Sequence, residues 1–414
     1  MRRLHLARPG AVKEAALTRN RTPGKTSVVA AIGSTQTLAW ASSFYLPAIL
    51  GAPIAAGLGL PVSVFFGVFS AALLLGAAIS PWVGRLIDDH GGRAVLAGSN
   101  VVLAAGLTAL ALAQGVISLT IAWLILGIGM AIGLYDPAFA TLTRLYGREA
   151  RASITGITLI AGFASTVGWP ASAWFEHAFG WREACLIWAG LHLFAALPLN
   201  WLVIPPAPLL APAGQEARPA LDAEPPRGAM PILAFYFCAT AFVTGAMSSH
   251  LPGFLESAGA SETAAIAASA LVGPAQVAAR LVEFGLLRAA HPVWSARIAA
   301  VMHPLGAAAL GVFGPAGVAG FALLHGAGNG LITIARGTLP LVIFGPTGYG
   351  RRTGILTVPA RVTVAVAPFV FGVLLDWIGT FAVMISASLS LAAFASLWLL
   401  RPRPAPATVP AASD

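Results

Sequence analysis

Arg361 stands in the run ILTVPARVTVAVAP, residues 355–368, whose other members are apolar, proline or hydroxyl residues. A guanidinium is always charged, and its planar fork of donors matches a carboxylate or similar oxyanion in bidentate fashion. Set among valine, alanine and proline it requires compensation: a bound anion, backbone carbonyls freed near Pro359, or a distant acid. A second set, His325, Asn329, Thr333 and Arg336, is spaced 4, 4 and 3, which on a helix confines it to a face about 80° wide. Gln36, Trp40 and Ser43 share a face in the same way, with Tyr45 further along. These types offer anion binding, hydrogen bonding and, at His325, proton exchange around an unperturbed pKa of ~6.5. Enzyme chemistry is not expected. The chain has no His-x-x-x-His or Glu-x-x-His pair for a metal and no Gly-x-x-x-x-Gly-Lys-[Ser/Thr] loop for a nucleotide, so neither metal nor cofactor is anticipated.

The elements that must position these residues follow from composition. Hydrophobic residues make up 57% of the 414 and charged residues only 9%, which cannot cover a soluble globule with polar surface. The chain is therefore read as a membrane protein. Apolar segments long enough to span ~30 Å of hydrocarbon occur near 27–50, 62–84, 94–113, 116–146, 152–175, 183–204, 230–254, 263–287, 293–313, 315–345, 353–375 and 380–400. A Pro/Ala-rich polar stretch at 205–229 separates two groups of six spans, 27–204 and 230–400, and polar tails are expected at 1–26 and 401–414. The first 26 residues lack the short apolar core of a cleaved signal. With the N-terminus cytoplasmic, 22 of the 24 Lys and Arg fall on the cytoplasmic side, leaving only Arg182 opposite and Arg361 within the hydrocarbon. That asymmetry predicts both termini inside, in a plasma or cell inner membrane. It also explains the net charge of +9 without nucleic acid as a partner. Cys185 and Cys238 both lie in apolar runs and read as buried free thiols.

The two halves resemble one another. TGITLIAGFASTVGWP (155–170) and TGILTVPARVTVAVAP (353–368) share their opening Thr-Gly-Ile and a final Pro at an offset of 198. The spans before them carry Gly127/Gly129 and Gly326/Gly328, one residue out of that register. A duplicated six-span unit is the reading, and parallel repeats of this kind place a solute site near the midplane between the halves. Asp136, in GLYDPAFA, is the only acid well inside a span, and Arg336 falls near the equivalent position of the other half. The two are candidates for a gating or coupling ion pair. Counted from Thr353 at 1.5 Å per residue, Arg361 lies about 12 Å into the hydrocarbon, a position costing at least ~2.5 kcal/mol if unrelieved.

GRLIDDHGGR (84–93) resembles the G-x-L-a-D-r-x-G-r-[KR] signature that the major facilitator superfamily carries between its second and third helices. Gly84, Leu86, Asp88, Gly91 and Arg93 match, while Asp89 and Gly92 depart from the usual basic residues. GWREACLIWAG (180–190) adds a weaker likeness. The resemblance implies an all-α polytopic fold, twelve transmembrane helices in two pseudo-symmetric six-helix bundles, moving a small-molecule solute by alternating access. It implies that Gly84, Asp88, Gly91 and Arg93 form a cytoplasmic latch in which Asp88 meets the start of the eleventh helix at Thr353 and Gly354. By the same resemblance the first, fourth, seventh and tenth helices line the cavity. Arg361, His325, Asn329, Gln36, Trp40 and Tyr45 are then the expected solute-binding set.

Arg361 and His325 would make such a cavity positive, so a small organic or inorganic anion is the expected solute. Coupling by exchange, or by protons through His325, is anticipated. The fourth-helix arginine of proton antiporters is replaced by Trp123. The alternatives are efflux of drug-like neutral or cationic compounds and a transporter-like sensor that binds without flux. Partners are the bilayer, the solute and protons, with a monomer as the expected working form. In a variant lacking Cys185 and Cys238, a single cysteine at Gln215 is expected to react with impermeant maleimide only in inside-out vesicles; labelling from outside intact cells would reverse the assigned orientation.

Overall fold

The computed structural model describes residues 23–146, 150–206, 228–287, 290–344 and 349–400. Most of the expected linker and of both tails lies outside them. The described residues form helices joined by short turns, with no strand among them. In the first half these are α1 (Lys25–Gly57), α2 (Val62–His90), α3 (Gly92–Ala111), α4 (Val116–Tyr146), α5 (Ser153–Phe179) and α6 (Trp181–Val203). The second half holds α7 (Ala229–Ser257), α8 (Glu262–Val282), α9 (Pro292–Phe313), α10 (Val318–Phe344), α11 (Tyr349–Ile378) and α12 (Ala382–Ser396). Glycines at positive φ make several of the turns, Gly91 at 85°, Gly180 at 92° and Gly379 at 58° among them, a conformation that costs residues with a Cβ. The eleventh helix begins at Tyr349, not at the expected Thr353, which therefore lies in its second turn.

The helices alternate in direction. Lys25, His90, Tyr146 and Ala229 lie toward one side, called here the linker face, and Gly57, Ala111, Phe179 and Ile378 toward the other, the far face.

Hydrocarbon tails are as apolar as leucine, so helices associate in a bilayer through close packing and internal hydrogen bonds. Both devices are present. A Cβ at Gly127 on α4 would overlap the Ala72 carbonyl oxygen on α2, and one at Gly326 on α10 would lie 2.7 Å from the Val272 carbonyl oxygen on α8. Gly129 meets Leu103 on α3, and Gly328 meets the Ala299 carbonyl on α9. The glycine pairs read as a sequence repeat are thus one packing contact used twice.

Buried polar side chains pin the helices further. The Asn100 amide donates to the Leu96 carbonyl at 2.8 Å, so its oxygen accepts the His192 Nδ1 proton at 2.8 Å. His192 Nε2 lies within hydrogen-bond distance of the Ser42 hydroxyl at 2.7 Å, which ties α1, α3 and α6 together. Thr35 donates to Asn200 at 2.9 Å in the same bundle.

The bundles meet along three seams, α2 on α11, α5 on α8, and the outer part of α1 on α7. The far face is closed across them. His250 donates to the Pro368 carbonyl at 2.8 Å, and its ring packs against Phe66 with centroids 4.0 Å apart. His177 lies 2.6 Å from Glu262 at the far ends of α5 and α8, and midway along the same seam Thr166 donates to the Ala270 carbonyl at 2.8 Å.

In the latch segment, Gly91 makes the tight turn at positive φ, and Gly92 has no room for a Cβ beside Thr141, which explains its departure from the family pattern. Gly84 does not make the close helix contact expected of it, since a Cβ there would meet nothing within 4 Å. Arg93 lies over the Trp201 ring at 4.5 Å. The side chains of Asp88, Thr353 and Gly354 lie outside the described residues.

Gly127→Val is expected to lower the thermal midpoint in detergent through overpacking of about 1–3 kcal/mol. Gly84→Ala is expected to leave it unchanged or raise it by less than about 1 kcal/mol equivalent, because alanine favours helix and meets nothing. Equal effects from the two would contradict the α2 to α4 contact.

Candidate solute-binding cavity

The site begins with a missing proton. In a continuous α4 the carbonyl of Gly133 would accept from the residue four positions on, which is Pro137 and has no N–H. The helix stops at Gly133, Leu134 takes an extended conformation at ψ −158°, and a new helix begins at Tyr135. The orphaned Gly133 carbonyl is taken by the Gln36 amide at 2.6 Å. Asp136 thereby falls in the first turn of a helix, where free N–H groups favour a carboxylate. Its partner comes from the other half: Arg361 Nη2 donates to Asp136 Oδ2 at 2.6 Å, with 40% and 60% of the two side chains exposed.

Both residues line a cavity of about 340 Å³ between the bundles. Trp40 and Phe44 come from α1, Ala72 to Ser80 from α2, Gly127 to Pro137 from α4, Phe237 from α7, Arg336 from α10 and Leu356 to Ala365 from α11. Aromatic rings form much of the wall, with Trp40 and Tyr135 at 4.9 Å between centroids and Trp40 and Phe44 at 5.2 Å. Arg336 is exposed to this space and has no acidic partner among the described residues. Among the described residues the charged side chains of the lining are Asp136, Arg336 and Arg361, which together carry a net positive charge.

Asp136 pairs with Arg361 rather than with Arg336, the partner that the repeat suggested. Of the expected solute-binding set, Arg361 and Trp40 line the cavity, whereas His325, Asn329, Gln36 and Tyr45 do not. His325 turns into the second bundle, its Nδ1 3.2 Å from Nδ1 of His303, which in turn lies 2.9 Å from Ser386. Asn329 accepts from Thr244 at 3.0 Å, and Tyr45 packs edge-on against Trp169 with its hydroxyl toward Gln276. Helical spacing had put His325, Asn329 and Arg336 on one face; that face is shared between α7, α9 and the cavity, and only Arg336 reaches the last. Ser43 is satisfied within α1 by the Ala39 carbonyl.

Several residues that shape the site were not singled out in advance. Tyr135, Phe44 and Phe237 supply aromatic wall. Arg280 bridges the halves by donating to the Thr158 carbonyl at 3.0 Å, and it also reaches Gln276 and Thr333. Pro137 beside Asp136 was the available signal for Tyr135, since a proline at that place forces a helix start.

A twelve-helix membrane protein built from two parallel repeats, with a mid-membrane cavity between them, has the architecture of a secondary transporter. The family model described as Major Facilitator Superfamily matches residues 32–319, and the chain belongs to that family. It is 32% identical over 125 residues to the multidrug resistance protein MdtH of Aeromonas salmonicida, which is 30% of either chain. It is likewise 32% identical over 160 residues to the human solute carrier family 2, facilitated glucose transporter member 10, covering 34% of this chain and 29% of that one. The chain thus spans under a third of the length of these relatives. Among solved structures, a point mutant of the nucleoside transporter NupG superposes with a TM-score of 0.73 at 16% identity, covering 91% of this chain and all of that one. A bacterial homologue of the human lysosomal transporter Spinster, inward-facing and occupied, gives 0.66 at 17% identity over 92% and 99% of the two chains. These likenesses show the fold.

For the ion pair, a double-mutant cycle of Asp136→Asn and Arg361→Gln is expected to give a favourable coupling of no more than about 1 kcal/mol in thermal unfolding, as half-exposed pairs do. Strict additivity of the two substitutions would show that the pair does not form.

Proposed function

We propose that the protein moves a small anion across the membrane by alternating access, with the cavity between the bundles as its binding site. The observation that carries this is Arg336, a guanidinium in the cavity without an acidic partner among the described residues, in the same lining as an Arg361 whose charge is shared with Asp136. A cation would meet net positive charge, because Asp136, the one carboxylate of the lining among the described residues, is already engaged. An anion supplies what these guanidiniums lack, and charge-assisted hydrogen bonds to arginine are among the stronger ones available. Closure at the far face together with a cavity among the linker-side and middle parts of the helices corresponds to a state open toward the linker face. With the termini and linker cytoplasmic, as the lysine and arginine distribution favours, this is the inward-facing state of an inner-membrane carrier.

The Asp136 to Arg361 contact joins the two halves, so a solute anion that competes for Arg361 would loosen one tie as it makes another. That gives the solute a differential affinity for the states of the transporter, which any ligand-driven conformational change needs. His325 is tied up with His303 away from the cavity, which favours exchange of one anion for another over proton coupling at that residue.

Equilibrium binding of anionic and neutral solutes to the purified protein tests the reading. The best ligand is expected to be an anion whose affinity falls about 10- to 100-fold in Arg336→Gln and in Arg361→Gln, the range for losing a hydrogen bond to a charged group. A neutral or cationic best ligand, or unchanged affinity in both variants, would refute it. Flux of the same anion into sealed proteoliposomes separates a carrier from a sensor that only binds.

A further inference from the structure

The charged and hydroxyl side chains of the lining lie toward the linker face, beside Phe237 and Leu356, and the rest of the lining is apolar or aromatic. On α2, Ser80 is nearer the linker face than Ala72 and Leu73; on α11, Thr357 and Arg361 precede Val364 and Ala365. Arg336 lies in the linker-side third of α10, and Asp136 lies beyond the α4 break on the same side. Toward the far face the lining becomes Phe44, Leu73, Ala72 and Ala365, with Trp40 and Tyr135 between the two zones. The cavity therefore has a charged mouth and an aromatic, apolar floor.

We propose that it takes an amphipathic organic anion, a carboxylate carried on a single aromatic ring or a similarly flat apolar body. The carboxylate binds Arg336 and the ring reaches toward Trp40 and Phe44. This rests on the anion reading of the same cavity and adds the body of the solute and its direction. Arg336 is the main anchor because Arg361 already donates to Asp136. The floor supplies ring contacts, since Trp40, Phe44 and Tyr135 all line the cavity, with the Trp40 centroid 5.2 and 4.9 Å from those of the other two. A sugar is disfavoured: each of its hydroxyls needs a partner on burial, and the floor offers almost none. An inorganic anion would leave that floor empty. About 340 Å³ is near the lower end of ligand pockets, which suits one ring and a short acidic arm.

The test is equilibrium dialysis of radiolabelled benzoate and phenylacetate against the full-length protein in nanodiscs, with acetate, sulfate, benzamide and glucose as competitors. The aryl carboxylates are expected to bind about tenfold or more tighter than acetate and than benzamide, a difference of about 1.4 kcal/mol or more. Arg336→Gln is expected to erase the preference over benzamide, and Arg336→Lys to retain part of it. Trp40→Leu is expected to erase the preference over acetate while leaving the need for charge; Trp40→Tyr serves if that variant elutes as aggregate. Benzamide binding as tightly as benzoate would overturn this proposal and the anion reading together. Acetate or sulfate binding as tightly as benzoate, with Arg336 still required, would overturn the aromatic body alone. Wild-type protein that binds neither aryl carboxylate at millimolar concentration overturns the proposal as well.

Discussion

One absent hydrogen-bond donor organises the centre of this molecule. Pro137 cannot satisfy the Gly133 carbonyl, and an unsatisfied carbonyl inside a membrane costs several kcal/mol. Gln36, from a different helix, takes it at 2.6 Å. The break this maintains turns Tyr135 and Asp136 into the first turn of a new helix, facing the cavity. Arg361, otherwise an isolated charge in apolar sequence, is compensated because Asp136 is there. Without the break, α4 would pass the midplane as a continuous helix and no carboxylate would be presented to α11 at that point.

Around this centre the bundles are held by contacts that leave little room for side-chain variation. Gly127 and Gly326 bring backbone against backbone in the two halves, and His192 locks three helices of the first half through two hydrogen bonds. The seams between halves use the same close approach, with a Cβ at Gly273 on α8 lying 2.8 Å from the Gly162 carbonyl oxygen on α5, and add polar contacts such as Thr166 to Ala270 and Arg280 to Thr158 and ring contacts such as Phe66 with His250.

Much of the fold was legible in the sequence because span length and charge bias are set by the bilayer itself. The twelve spans, the division into halves and the repeated glycines each follow from one-dimensional patterns. The site was legible only in its residue types. Helical periodicity tells which residues share a face but not which neighbour that face meets, so His325 and Asn329 were grouped with Arg336 although they turn to α9 and α7. The partner of Arg361 was beyond reach for a related reason. Asp136 is 225 positions away in the other half, and nothing in the run around either residue encodes the approach of α4 to α11. The helix break was encoded locally, by Pro137, and its effect on Tyr135 could have been read.

The two copies of the six-helix unit share their glycine contacts but not their charges. On α4 and α10 the glycine contacts correspond at an offset of 199, which carries Asp136 to Ala335, the neighbour of Arg336. Closely corresponding places on either side of the pseudo-twofold axis therefore hold opposite signs. A symmetric pair of first halves would set two carboxylates against each other, and a pair of second halves would crowd the guanidiniums of two Arg336 and two Arg361 into one cavity. Each half has become the only acceptable mate of the other. Fusion into a single polypeptide fixes that pairing at one to one, so neither half could take the other's place at this cavity without bringing like charges together.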